Sequence, residues 1–176
     1  NDMDGVPGVT TAEVPPGGSF AFDFVVPDPG THWFHPHTGL QLDRGLYAPF
    51  IIDDPDEPGD YDHEWVLVLD DWTDGVGPSP EQILADLQAA GANGSMMGGM
   101  GGMMMGADSG DVTYPLFLIN GRPTNDPDVL AAKPGQKVRL RIINAGSDTI
   151  FDVALAGHDL TVTHTDGYPV NPVTAP

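Results

Sequence analysis

The sequence predicts an all-β fold made of short antiparallel strands, with one helix. Three observations carry that expectation. Glycine (23) and proline (18) together exceed a fifth of the 176 residues, which favours many turns. Between those turns lie short runs rich in Val, Thr and Phe. Several of the runs alternate apolar and polar residues, the period of a half-buried strand.

Taken in order, "SFAFDFVV" (Ser19 to Val26) places Phe20, Phe22 and Phe24 on one face of an expected strand. "DPG" (Asp28 to Gly30) turns the chain into a second extended run, "THWFHPH", and "LYAPFIID" (Leu46 to Asp53) makes a third. This spacing suits an antiparallel sandwich. "DDPDEPGDYD" (Asp53 to Asp62) is acidic, Pro-rich and aperiodic. It reads as a linker, with the boundary drawn at 56–63 between a unit at 1–55 and a second at 64–176.

The second unit opens on "EWVLVLDDW" (Glu64 to Trp72), a buried strand. "SPEQILADLQAAG" (Ser79 to Gly91) is the one helix: Ser79 suits the N-cap, Pro80 the first helical position, Gln82 a capping box and Gly91 the end. The low-complexity run Asn93 to Asp111 has almost nothing that could form a core and is expected to be a mobile loop. Further strands are expected at Tyr114–Gly121, Gln136–Ala145, Ile150–Gly157 and Asp159–Gly167, with Asp166–Gly167 as a tight turn. "VNPVTAP" then follows without a closing element. The chain reads as cut from something longer at both ends.

Charge and composition exclude several functions. Six basic residues face 26 acidic ones, a formal net charge of −20, the wrong sign for nucleic acid or an anionic membrane. No apolar run approaches the ~18 residues needed to cross a bilayer. There is no cysteine, so no thiol nucleophile or Cys-ligated metal lies within these residues. No Gly-x-Ser-x-Gly elbow or phosphate loop is present. Arg44, Arg122, Arg139 and Arg141 read as surface charges countering the acids. The Asp-rich linker lacks EF-hand spacing.

The chemistry sits in "GTHWFHPHTG" (Gly30 to Gly39). In an extended chain His35 and His37 point to one side with Trp33, and His32 and Phe34 to the other. Pro36 has no N–H for a ladder, so the strand is at an edge or irregular there. Two imidazoles suit copper, zinc, iron or nickel but are too few for a closed site. On spacing alone they read first as partly exposed strand histidines. His63, His158 and His164 do not obviously add to them.

The flanking motifs go further. "MDGVPG" (Met3 to Gly8), "PPGGSFAFDF" (Pro15 to Phe24) and "PGTHWFHPHTGLQLDRGLYAPFIIDDP" (Pro29 to Pro55) resemble the second half of the first cupredoxin domain of multicopper oxidases. "LFLINGR" (Leu116 to Arg122), "VRLRIINAG" (Val138 to Gly146) and "VTHTDGYPVNPV" (Val162 to Val173) resemble the middle domain of laccase-like, three-domain bacterial or archaeal members. The resemblance covers all but the linker, the helix and the Met-rich run.

It implies cupredoxin-like Greek-key sandwiches, and a copper enzyme oxidising phenolic compounds or low-valent metal ions while reducing O2 to water. His35 and His37 would each ligate one copper of a type 3 pair. The remaining ligands, a type 2 copper and the type 1 copper would come from residues outside this chain. Asp4 matches an outer-sphere carboxylate associated with proton delivery; its other reading is a turn residue. Two departures stand out: His32 occupies a position more often Tyr and is read as a bystander, and Thr11 replaces a common Gln.

These 176 residues alone are expected to be inactive, and an extracytoplasmic location follows from the resemblance only. Its partners would be O2 and a small-molecule or metal-ion reductant.

Met96, Met97, Met100, Met103, Met104 and Met105 crowd ten positions. Thioethers prefer Cu(I). The run is either a copper-gathering loop, an incidental insertion or an apolar contact patch. The alternatives to the oxidase are therefore a copper-tolerance protein working through this loop, or a cupredoxin-fold interaction protein without copper.

Overall fold

The computed structural model describes residues 2–57, 59–97 and 112–176. They form three sheets and one helix. In the first unit β1 (Gly30–Phe34) and β2 (Ala48–Ile52) pair antiparallel, with His32 opposite Phe50 and Trp33 opposite Pro49. The second unit is organised by β3 (His63–Trp72), which holds β4 (Leu116–Ile119) antiparallel on one side and β6 (Val138–Asn144) parallel on the other. The short β5 (Arg122–Pro123) closes a hairpin on β4. A separate hairpin joins β7 (Leu160–Thr165) to β8 (Tyr168–Ala175).

Turn chemistry fixes these hairpins. Asn120 (φ 52°) and Gly121 (φ 74°) are both left-handed, the demand of a two-residue turn that follows strand twist. The Asn120 side chain also mends the sheet edge. Its Oδ1 accepts from Val68 N–H at 2.8 Å, and its Nδ2 donates to Val66 C=O at 3.1 Å. Asp166 (φ 49°) and Gly167 (φ 82°) make the same kind of turn between β7 and β8.

The core lies where β3 meets β6. Val68, Ile143 and Ala145 are buried there, and Trp33, Tyr47 and Val66 pack against them. Two of these last three, Trp33 and Tyr47, belong to the first unit. The core is thus shared between the units.

Several expected elements differ. Ser19–Val26 forms no ladder, because no described residue offers it a hydrogen-bonding partner; Phe22 and Phe24 stay about half exposed. The phenylalanines still share a face: Phe20 and Phe22 meet edge-on at 4.9 Å, and Phe24 reaches Phe50 of β2. Ile150–Gly157 is likewise not a strand but loop with one Leu155–His158 bridge; Ile150 is 93% exposed, while Phe151 meets Phe117 edge-on at 5.7 Å.

The helix α1 (Pro80–Met97) starts as expected, with Ser79 Oγ accepting from Gln82 N–H, but runs past Gly91. It passes through both Gly91 and Gly94, each costing roughly 1 kcal/mol against alanine, with Ala89, Ala90 and Ala92, the best helix formers, around Gly91. The expected loop therefore cannot begin at Asn93; its remainder, from 98 to 111, lies outside the described residues. Finally, "VNPVTAP" is not an unpaired tail: Tyr168–Ala175 is β8.

The linker is tied down rather than solvated. Asp54 Oδ1 accepts from Asp56 N–H at 2.9 Å, and Glu57 pairs with Arg139 and with Arg141. Arg141 is only 4% exposed, so it and Arg139 are not the surface charges expected; Glu57 and Glu64 neutralise them. His63 is the first residue of β3, not part of a linker, and its ring contacts Gln136 Oε1 at 3.1 Å.

Two buried carboxylates went unforeseen, although "DDW" ends an otherwise apolar strand. Asp70 is 3% exposed and accepts from Tyr47 O–H at 2.7 Å. Burial pushes its pKa up to about 6, with the Tyr47 hydrogen bond opposing and Asp71 adding to the rise. Burial and the Asp70 hydrogen bond raise the Tyr47 phenol above its ordinary range in turn.

Between about pH 4 and about pH 6 the folded state therefore holds a proton the unfolded chain has lost. Stability falls as pH rises through that window and is level above it, by about 3 kcal/mol in all. Asp70→Asn keeps an acceptor for Tyr47 and removes the charge. Its unfolding free energy should exceed that of the unmodified protein at neutral pH, with the gap closing below about pH 4. Urea unfolding at both pH values checks this; an equal gap at both would contradict it.

Candidate metal centre

β1 stops at Phe34, and the reason is local. Pro36 removes an N–H and disfavours helical backbone at His35, so the chain leaves the sheet just before the two histidines. Their rings remain on one side with Trp33, as alternation requires. Trp33 stacks on His35 with centroids 4.3 Å apart and planes 17° apart. His35 and His37 follow at 4.7 Å and 30°. Trp33 is fixed from below by the Val68, Ile143 and Ala145 core, and from the side by Tyr47 edge-on at 6.5 Å.

The donor set suits a metal. His35 is half-buried, and its Nδ1 is buried with no hydrogen-bond partner. Leaving a buried ring nitrogen unpaired is costly, and a metal is one partner that removes the cost. His37 is exposed. Among the described residues no group of three or more His, Cys, Asp and Glu side chains could hold a metal ion together, so the pair could supply only part of one.

The other candidates lie apart from this arrangement. His32 points the other way. Its ring edge packs on the Gly167 turn, so close that a Cβ on Gly167 would sit 3.1 Å from His32 Cε1. Its Nε2 is also buried and unpaired. Asp4 is exposed in a turn ahead of Gly5 (φ 76°) and does not join the histidines as a ligand. Met96 and Met97 end α1, while Met100, Met103, Met104 and Met105 lie outside the described residues. His158 sits in a turn, its Nδ1 3.1 Å from Ala156 C=O. His164 lies against Arg139, with Nδ1 3.2 Å from a guanidinium nitrogen.

What sequence reasoning missed is a buried arginine that reaches β1. Arg141 Nη1 donates to Thr31 Oγ1 at 2.9 Å, while Glu64 takes Nη2 at 2.9 Å. Arginine in "VRLRIIN" alternates with apolar residues as an exposed strand face would. Only the paired acids Glu57 and Glu64 hinted otherwise.

Two family models, both described as multicopper oxidase, match residues 63–175 and 1–57. The chain is 53% identical over 179 residues to multicopper oxidase MmcO of Mycobacterium tuberculosis, covering 98% of this chain and 35% of the relative. It is 35% identical to copper resistance protein A of Pseudomonas syringae pv. tomato, covering 98% and 32%. The chain therefore spans about a third of the length of these curated relatives.

Among solved structures, a laccase from Botrytis aclada superposes with a TM-score of 0.72 at 31% identity, covering 99% of this chain and 31% of that one. Its neighbours give the fold as cupredoxin-like, mostly β with one helix. With matching models over both units and relatives across nearly its whole length, this chain belongs to the multicopper oxidase family.

Proposed function

We propose that the chain contributes to a copper-dependent oxidase that oxidises phenolic compounds or low-valent metal ions and reduces O2 to water by four electrons. Within it, His35 and His37 would hold the two coppers of a type 3 pair, one each. The observation that carries this is the Trp33–His35–His37 stack with His35 Nδ1 buried and unpaired. When bound, copper supplies the one-electron redox steps and the centre at which O2 is reduced.

The chain's own residues do the rest. Trp33 holds the His35 ring at a fixed tilt, and Pro36 directs the backbone out of the sheet. Asp4 is assigned to proton delivery, because reducing O2 to water consumes four protons and a carboxylate can pass them. The type 1 and type 2 coppers and the remaining ligands would belong to the rest of the natural protein. Export from the cytoplasm is part of the same proposal; no helix among the described residues is long and apolar enough to cross a membrane.

Copper analysis of the intact natural protein tests this. It should carry copper and show the near-ultraviolet absorption of a coupled pair. A folded, copper-free protein would sink the oxidase reading. A second reading, copper tolerance with the Met-rich run gathering Cu(I), is favoured by the relative named copper resistance protein A. It is set apart by deleting residues 98–111: loss of Cu(I) binding with turnover retained on a phenol would support it.

A further inference from the structure

Three contacts from the second unit fall on consecutive residues of β1, immediately before the stacked rings. Gly30 (φ 139°) approaches the β7–β8 turn so closely that a Cβ there would lie 2.5 Å from Gly167 C=O. Thr31 Oγ1 accepts from Arg141 Nη1 at 2.9 Å. His32 packs its ring edge on Gly167. The next residue, Trp33, packs against Val68, Ile143 and Ala145, and its ring stacks on His35.

β1 needs such support. Among the described residues its one hydrogen-bonded neighbour is β2, and a two-stranded ribbon twists readily and is only marginally stable. Its own pairing therefore does not fix the tilt of the backbone that follows it. A metal site, by contrast, needs its ligands held to within roughly 0.5 Å. Arg141 is suited to supplying that. It is buried, it is held in place by Glu64 at 2.9 Å and Glu57 at 3.5 Å, and its planar fork reaches Thr31 at the same time. A lysine could not present three donors in that fixed geometry.

We propose that Arg141 is a positioning residue for the His35–His37 pair, acting through Thr31, β1 and the Trp33 ring. The second unit contributes no ligand of its own by this account. It sets the ligand geometry of the first. The inference rests on His35 and His37 holding copper.

The test uses the intact copper-loaded protein with Thr31→Val, Arg141→Lys and the double variant. Thr31→Val keeps shape and removes only the hydroxyl that Arg141 grips, so it carries the test even if Arg141→Lys folds poorly. Copper content, the coupled-pair absorption and the type 1 visible absorption are read together. Expected is an approximately tenfold weaker hold on the type 3 coppers in each single variant, with the type 1 absorption unchanged. The double variant should be no worse than Arg141→Lys, because both changes cut one path.

Wild-type copper affinity and absorption in all three variants, with only thermal stability lowered, would overturn the inference and leave the network a matter of folding. Absence of the coupled pair from the unmodified protein would instead sink the copper reading, and this inference with it.

Discussion

Replacing His35 or His37 with alanine in the intact protein is expected to abolish O2 reduction, lowering turnover by more than about a hundredfold. Changes to groups that merely support a ligand already cost 10- to 100-fold, and here the ligand itself goes. The two substitutions should not behave alike in apparent stability. His35 is half-buried between Trp33 and His37, so its removal also opens a gap beneath the stack. His37 is exposed, and its loss should leave the unfolding of the copper-free protein almost unchanged. Both should lose the coupled-pair absorption together, because coupling needs both coppers. His158→Ala, in a turn remote from the stack in sequence and touching Ala156, serves as the control and should retain turnover. Oxygen consumption and copper content measured on one preparation check this. Full turnover in either His35→Ala or His37→Ala would remove the pair from the copper site.

How much of this was legible beforehand depended on where the partners of each segment lie. β1, β2, β3, β4, β6 and β7 were readable because each carries its own pattern and finds a neighbour within the chain. Ser19–Val26 has as clear an alternation as any of them, yet forms no ladder. Alternation reports which face is apolar and says nothing about whether a partner strand is present. Ile150–Gly157 failed for the same reason.

At the site, the shared side of Trp33, His35 and His37 followed from the two-residue period; Pro36 marked an edge or irregular strand, but the extended run expected to reach His37 ends at Phe34. The buried Arg141 was not readable. Arg139 and Arg141 alternate with Leu140 and Ile142, which looks identical for an exposed face and for a buried face whose charges are paired. Only long-range proximity to Glu57 and Glu64 distinguishes the two, and local sequence does not carry it.

The same limit hid Asp71, whose removal should cost several times more stability than the loss of an exposed ion pair. Asp71 is 1% exposed and faces the turn after β6. Its Oδ1 accepts from Ser147 N–H at 2.8 Å, and its Oδ2 from Asp148 N–H at 3.1 Å and Thr149 N–H at 2.9 Å. One carboxylate thus satisfies three successive backbone donors, which repays the cost of burying its charge.

Asp71→Ala leaves all three donors without an acceptor and should lower the unfolding free energy by about 3 to 5 kcal/mol. Asp71→Asn should recover only part of that. Its amide keeps one acceptor oxygen, and its NH2 is turned toward backbone donors.

The effect should also travel. The turn Asp71 holds presents Ser147 Oγ to Asp43 Oδ1 at 2.9 Å, and Asp43 in turn accepts from Tyr114 O–H at 2.9 Å. Asp43 belongs to the first unit, so loosening the turn weakens a contact between units as well as the sheet beneath it. Arg44→Ala makes the comparison: its pairs with Asp74 and Glu81 are exposed, and such pairs are worth less than about 1 kcal/mol. Denaturant unfolding of the two variants should therefore differ by several-fold in free-energy loss. Equal losses would mean that water replaces the Asp71 carboxylate in the turn.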